Sequence, residues 1–192
     1  MRTAEMTRNT RETDIEVYVD LDGGGECDIS TGIGFFDHML TALAMHSGIT
    51  LKVSCKGDLN VDCHHSVEDT GIVIGQAIAK ALGSKIGIER YGSALIPMDE
   101  ALAMCSMDIS GRPYLVFDAA FTEERIGEYD TCMTEEFFRA LAFNAGMTLH
   151  LKEIYGKNGH HITEALFKSF AHALKNAVRI SGSELLSTKG IL

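Results

Sequence analysis

The strongest constraint on what this chain can fold into is that it carries the same unit twice. His64-His65-Ser66-Val67-Glu68 returns as His160-His161-Ile162-Thr163-Glu164, 96 residues on. Upstream of each copy lies a second matched pair: LTALAMHSGITLKV from Leu40 to Val53, and FRALAFNAGMTLHL from Phe138 to Leu151, 98 residues on. A repeat of about half the chain length means one supersecondary unit folded twice, with the two copies burying each other's apolar faces.

Each copy reads alike. Apolar and polar residues alternate in DIEVYVDLDGGG and ECDIS, and again in EALAMCSMDISGRP and YLVFDAAF, with turn residues between the runs, which is the pattern of antiparallel strands. Three strands open each half. Helical periodicity follows in FFDHMLTALAMH and EEFFRALAFNA, each closed by a glycine, Gly48 or Gly146, at the position that follows a helix C-terminus. One strand, ITLKVSC or MTLHLKEI, and a longer amphipathic helix starting at each HHxxE complete the unit. This order predicts an α+β fold of two tandem half-domains, 1–88 and 89–192. Each is a mainly antiparallel four-stranded sheet with two helices on one face, and a pseudo-two-fold axis relates the two.

The repeated motif carries metal chemistry. On a helix His64 and Glu68 stand at i and i+4, and His65 and Glu68 at i and i+3. The adjacent histidines diverge by about 100°, so one motif can feed ligands to two different ions. Imidazole with carboxylate and no thiolate suits Mn, Fe, Co, Ni or Zn. A single His-His followed by Glu is also an ordinary helix start, since a glutamate is favoured near the positive end of the dipole. Recurrence at the same place in the repeat favours the metal.

The 98-residue step also carries His38 onto Glu136, and both can ligate. His38, His64, His65, Glu68, Glu136, His160, His161 and Glu164 then make eight donors. Two octahedral ions with four protein ligands each would keep about two positions open for water or substrate. His46 and His150 step onto Asn144 and Lys52, which are not matching ligands, and read as structural.

Composition narrows the partners. A formal charge of −10 opposes binding to nucleic acid, which draws its affinity from clustered Lys and Arg, so any anion handled here is small and met by a few local cations. The N-terminus has no apolar run of signal-peptide length and no segment approaches roughly 18 uninterrupted apolar residues, which predicts a soluble cytoplasmic protein with no membrane partner. Cys27, Cys55, Cys63, Cys105 and Cys132 are odd in number and have no CxxC spacing, so they read as small buried hydrophobes.

STGIGFFDHML, DCHHSVEDTGIVIGQAI, SGRPY, GKNGHHITEALFKSF and STKG, in this order over nearly the whole chain, resemble the imidazoleglycerol-phosphate dehydratase family. These enzymes dehydrate imidazole glycerol phosphate to imidazole acetol phosphate in histidine biosynthesis. The resemblance implies a duplicated half-domain of the ribosomal protein S5 domain 2-like fold. It further implies two Mn²⁺ per active site and a homo-oligomeric 24-subunit shell of octahedral symmetry, with sites at subunit interfaces. Its metal ligands fall on His38, His64, His65, Glu68, His160, His161 and Glu164. Glu136 departs from the pattern, because many members carry histidine before the Phe-Phe pair; as a ligand it would add negative charge and change metal preference.

By the same resemblance the substrate phosphate falls on Arg90, Arg112, Lys168, Ser187 and Lys189, Arg serving as a planar fork and Lys as a point charge. Glu12 in RNTRET joins Glu68 and Glu164 as a catalytic group and moves the proton on carbon. Read alone, Arg112 is a turn residue, Lys168 a helix-surface lysine, STKG a tail and Glu12 a charge on a polar strand.

The reaction removes a proton from a carbon with no carbonyl beside it, so no enolate can form. The implied route is a dimanganese-bound imidazolate that expels the C3 hydroxyl to give a diazafulvene-like intermediate; loss of the C2 proton then yields an enol and finally the ketone. Two other readings use the same donors: a binuclear metallohydrolase acting on phosphate esters, and metals that only staple subunits together. Neither explains the phosphate-site motifs.

Overall fold

The computed structural model describes residues 1–190. The first half opens with strands β1 (Thr3–Asn9), β2 (Thr13–Asp20) and β3 (Cys27–Ser30), followed by helix α1 (Gly34–Ser47), strand β4 (Thr50–Gly57) and helix α2 (His64–Leu82). The second repeats the order as β5 (Tyr91–Met98), β6 (Ala101–Asp108), β7 (Tyr114–Asp118), α3 (Met133–Ala145), β10 (Thr148–Tyr155) and α4 (Gly159–Ala177). It adds a short hairpin, β8 (Arg125–Ile126) with β9 (Tyr129–Asp130), that has no counterpart in the first half.

The sheets run β1-β2-β4-β3 and β5-β6-β10-β7. In each, two of the three pairings are antiparallel and the last is parallel, β3 beside β4 and β7 beside β10. The parallel edge follows from connectivity: α1 and α3 cross over between neighbouring strands, which a parallel pair requires. Alternation sets the faces. Ile15, Val17 and Val19 of β2 and Leu51 and Val53 of β4 are buried, while Glu16 and Lys52 between them face outward. Gly48 and Gly146 close α1 and α3 at φ 75° and 67°, the left-handed conformation that glycine adopts without a Cβ penalty.

Helices of opposite halves pack together, α2 against α3 and α1 against α4, with α2 also lying on β1 and β2 and α4 on β5 and β6. The α2–α3 contact depends on two glycines. A Cβ on Gly71 would stand 2.7 Å from the Phe137 carbonyl oxygen, and one on Gly75 would stand 2.6 Å from that of Leu141. The repeat mates of these glycines are Phe167 and Ala171, and Phe167 instead stacks on Phe137 with ring centroids 5.2 Å apart. Of the cysteines, Cys55, Cys63 and Cys105 are buried as expected, but Cys27 and Cys132 are exposed. No helix among the described residues is long and apolar enough to cross a membrane.

Candidate functional site

The HHxxE motifs open α2 and α4, and local capping fixes those openings. Asn158 accepts hydrogen bonds from the backbone N–H groups of His160 and His161, and Asp62 accepts one from His64 at 2.7 Å. An Asp or Asn there satisfies donors that a helix start leaves unpaired. At α1, Asp37 accepts from both the backbone N–H and the hydroxyl of Thr31, at 2.8 and 2.6 Å, which fixes the turn that presents His38.

Because α1 packs on α4, His38 meets the second motif rather than the first. His38 Nε2 lies 3.6 Å and His160 Nε2 3.3 Å from the same Glu164 oxygen, Oε2. One ligand atom from each of the three lies within 4.8 Å of the others. Glu164 is buried, and its other oxygen, Oε1, takes the Lys168 ammonium at 2.6 Å. Burial pushes the Glu164 carboxyl up, but Lys168, His38 and His160 outweigh it and hold the group below the usual glutamate range.

The counterpart group is formed by α2 and α3. His64 Nε2 lies 3.2 Å from Glu68, and His64 and Glu136 face one cavity beside Cys132. Glu136 itself pairs with Arg139 at 3.6 Å. Among the described residues only His38, His160 and Glu164 close to ligand-sharing distance; the counterpart group stays open.

The second histidine of each motif points away from the first, as the helical divergence requires: the ring centroids stand 6.1 Å apart for His64 and His65 and 6.0 Å apart for His160 and His161. His65 Nδ1 is held by both Asp58 oxygens at 3.1 Å, with Glu12 3.8 Å from its Nε2. His161 Nδ1 is held by Glu100 at 2.6 Å, with Asp99 3.7 Å from its Nε2. These carboxylates, Asp58 and Glu100 foremost, raise both imidazole pKa values. Glu100 is in turn pulled down to about 2, by His161 first and then by the Asn158 backbone N–H.

The structure thus gathers His38, His160 and Glu164 tightly, sets His64 and Glu136 across one cavity, and leaves His65 and His161 each with a carboxylate of its own. Imidazole and carboxylate donors with no thiolate among them suit a hard or borderline ion of the Mn class. Neither His46 nor His150 joins a donor group; His46 packs on His172 and His150 lies exposed on a sheet face.

Glu12 stands at the tip of the β1–β2 turn. Thr10 Oγ1 accepts from the backbone N–H groups of Glu12 and Thr13, and the Thr13 hydroxyl donates to buried Asp69 on α2 at 2.5 Å. The turn is thereby tied to the helix that carries His65.

Of the residues expected at the phosphate, Arg90, Arg112, Ser187 and Lys189 line one cavity. Arg90 is forked onto Asp108 at 2.6 and 3.0 Å and donates to the Leu186 carbonyl at 2.6 Å, which brings the tail to the arginine. Lys168 does not line this cavity; it stays with Glu164. Sequence reasoning missed Asp58, Glu100 and the Lys168–Glu164 pair. Only the last had a local signal, its i, i+4 spacing on one helix face.

The comparisons agree with this architecture. The family model described as imidazoleglycerol-phosphate dehydratase matches residues 31–174. A protein of that name from Clostridium kluyveri is 59% identical over 196 residues, covering 100% of both chains. One from Clostridium acetobutylicum is 61% identical over 193 residues, covering 98% of this chain and 97% of its own. The crystal structure of imidazoleglycerol-phosphate dehydratase from Staphylococcus aureus superposes with a TM-score of 0.85 at 42% identity, covering 93% of this chain and 99% of that one. The Pyrococcus furiosus enzyme, solved in complex with (S)-C348, does so at 0.85 and 38% identity, covering 97% and 100%. The chain, with its duplicated fold and its paired histidine motifs, belongs to the imidazoleglycerol-phosphate dehydratase family, enzymes of histidine biosynthesis.

Proposed function

We propose that this chain dehydrates imidazole glycerol phosphate to imidazole acetol phosphate at a dimanganese centre held by His38, His64, His65, Glu68, Glu136, His160, His161 and Glu164. The observation that supports it most is the group His38–His160–Glu164, whose donors converge within 4.8 Å and whose repeat mates are Glu136, His64 and Glu68. Duplicated donors call for a ligand with two equivalent ends, and an imidazole ring with two nitrogens is such a ligand. Manganese held there supplies Lewis acidity toward that ring.

The chain's own residues carry the remaining work. Arg90, Arg112, Ser187 and Lys189 take the phosphate and so fix the distance from the substrate's charged end to its ring. Glu12, on its tethered turn, moves the proton at C2. Lys168 stays with Glu164 and away from the phosphate cavity within one copy. A second copy that brought its Lys168 to this cavity would complete the phosphate site, which fits an active site shared between subunits; the proposed state is a cytoplasmic homo-oligomer, up to the 24-subunit shell.

The test is turnover of imidazole glycerol phosphate by the purified protein before chelation, after it and with Mn²⁺ restored, with particle mass followed by light scattering. Activity is expected to vanish with the chelator and return with Mn²⁺, in a particle of many subunits. No ketone product from the metal-loaded particle would sink the reading.

A further inference from the structure

Asp58 and Glu100 hold the outward histidine of each motif through Nδ1, yet they do not occupy matching places in the repeat. Strand register shows this. Val17 pairs with Val53 in the first sheet and Cys105 with Leu151 in the second; Val53 and Leu151 are mates 98 residues apart, so Val17 and Cys105 are mates 88 apart. The same step carries Glu12 onto Glu100.

A bulge in β10 between Glu153 and Tyr155 then shifts the register by one, making Gly57 the mate of Gly156. The surroundings agree. A Cβ on Gly57 would meet Thr13 and Ser66, and one on Gly156 would meet Ala101 and Ile162, which are mates of those two residues. Asp58 therefore corresponds to Lys157, which cannot accept from an imidazole.

We infer that Asp58 and Glu100 are positioning residues for the metal centre: each accepts from Nδ1–H of its histidine and so fixes the tautomer whose Nε2 lone pair is free to ligate. The inference rests on the proposed ligand roles of His65 and His161. A histidine ligand ordinarily donates its other nitrogen to a carboxylate, which orients the ring and raises its basicity. The first half uses Asp58 for this, which leaves its copy of the turn glutamate, Glu12, beside Nε2. The second half has no carboxylate between β10 and α4 and uses Glu100 instead. One repeat position thus holds an orienting group in the second half and, by the role proposed for Glu12, the proton carrier in the first.

The test is Mn²⁺ affinity of the full assembled protein, read from the EPR signal of free Mn²⁺, for Asp58→Ala, Asp58→Asn, Glu100→Ala and Glu100→Gln, with His65→Ala and His161→Ala alongside. The alanine variants are expected to bind roughly 10–100-fold more weakly, and Asp58→Asn, whose oxygen still accepts from Nδ1–H, to recover to within about threefold of wild type. Asp58 is the clean arm, because its carboxylate makes no other hydrogen bond among the described residues. Glu100 also accepts from the backbone N–H groups of Lys157 and Asn158 through its other oxygen, so Glu100→Gln, with a single acceptor oxygen, keeps either that capping or the histidine contact and is expected to fall between wild type and Glu100→Ala. Alanine variants within about threefold of wild type, while the histidine variants lose metal, overturn the inference. Histidine variants that bind Mn²⁺ normally overturn the ligand reading beneath it.

Discussion

The two donor groups that the repeat creates differ in charge and in closure. His38, His160 and Glu164 bring two imidazoles to one buried carboxylate that Lys168 compensates. Their mates, His64, Glu68 and Glu136, bring one imidazole and two carboxylates, and the residue matching Lys168 is Ile72, so nothing at that position balances Glu68. The first group converges within one chain because α1 and α4 press together; the second is spread along the edge of the α2–α3 contact. Duplication supplied the same backbone frame twice, and substitution then made one end neutral and preformed, the other anionic and open. A centre with one such end from each copy would combine a rigid half with one that tightens as metal binds.

The sharpest way to break this comparison is to remove one histidine from each group. If both groups serve the same centre, His160→Ala and His64→Ala each lower turnover by about 10³-fold or more, with Mn²⁺ lost in parallel. Steady-state kinetics with metal titration of both variants decide it. Loss confined to His160→Ala would mean that the closed group is the whole centre and that the duplicated motif on α2 is a relic.

Glu12 and Glu100 offer the next contrast. As a proton carrier Glu12 should cost about 10²-fold in kcat when changed to Gln, with KM little altered. A kcat within about tenfold of wild type would hand the proton to another group. For the phosphate cavity, deleting the chain after Leu186 removes Ser187 and Lys189, and KM should rise by about tenfold or more, since a hydrogen bond to a charged group contributes roughly 1.5–3 kcal/mol. An unchanged KM would take the tail out of the site.

Much of this was legible before any coordinates. The period-two runs, the glycines after α1 and α3 and the HHxxE helix starts depend on neighbours in sequence, and local patterns record them well. What escaped depends on packing. The His38–His160–Glu164 group exists because α1 docks on the other half's helix, and no motif in one half states which helix of the other it will meet. Glu100 reaches His161 from a turn 61 residues earlier. The parallel edges of β3 and β7 were implicit in the strand-helix-strand order, but alternation alone reports only the faces of a strand. The β8–β9 hairpin is two residues per strand, too short for any period to register.

The smallest expected effect tests the two helix contacts. Gly71 lets α3 approach α2 until a Cβ would sit 2.7 Å from the Phe137 carbonyl oxygen, a backbone atom that cannot rotate aside. Gly71→Ala must push the helices apart and should cost about 2 kcal/mol, within the usual range for overpacking. Ala171, the mate of Gly75, is already fully buried on α4, so Ala171→Gly leaves a methyl-sized gap and adds backbone freedom for about 1 kcal/mol. Thermal unfolding of the metal-free variants compares them. The two contacts differ in kind if Gly71→Ala lowers the midpoint more than Ala171→Gly does. Because Gly71 lies on the same helix as His64, displacement of α2 should also weaken Mn²⁺ binding in the first variant and leave it unchanged in the second.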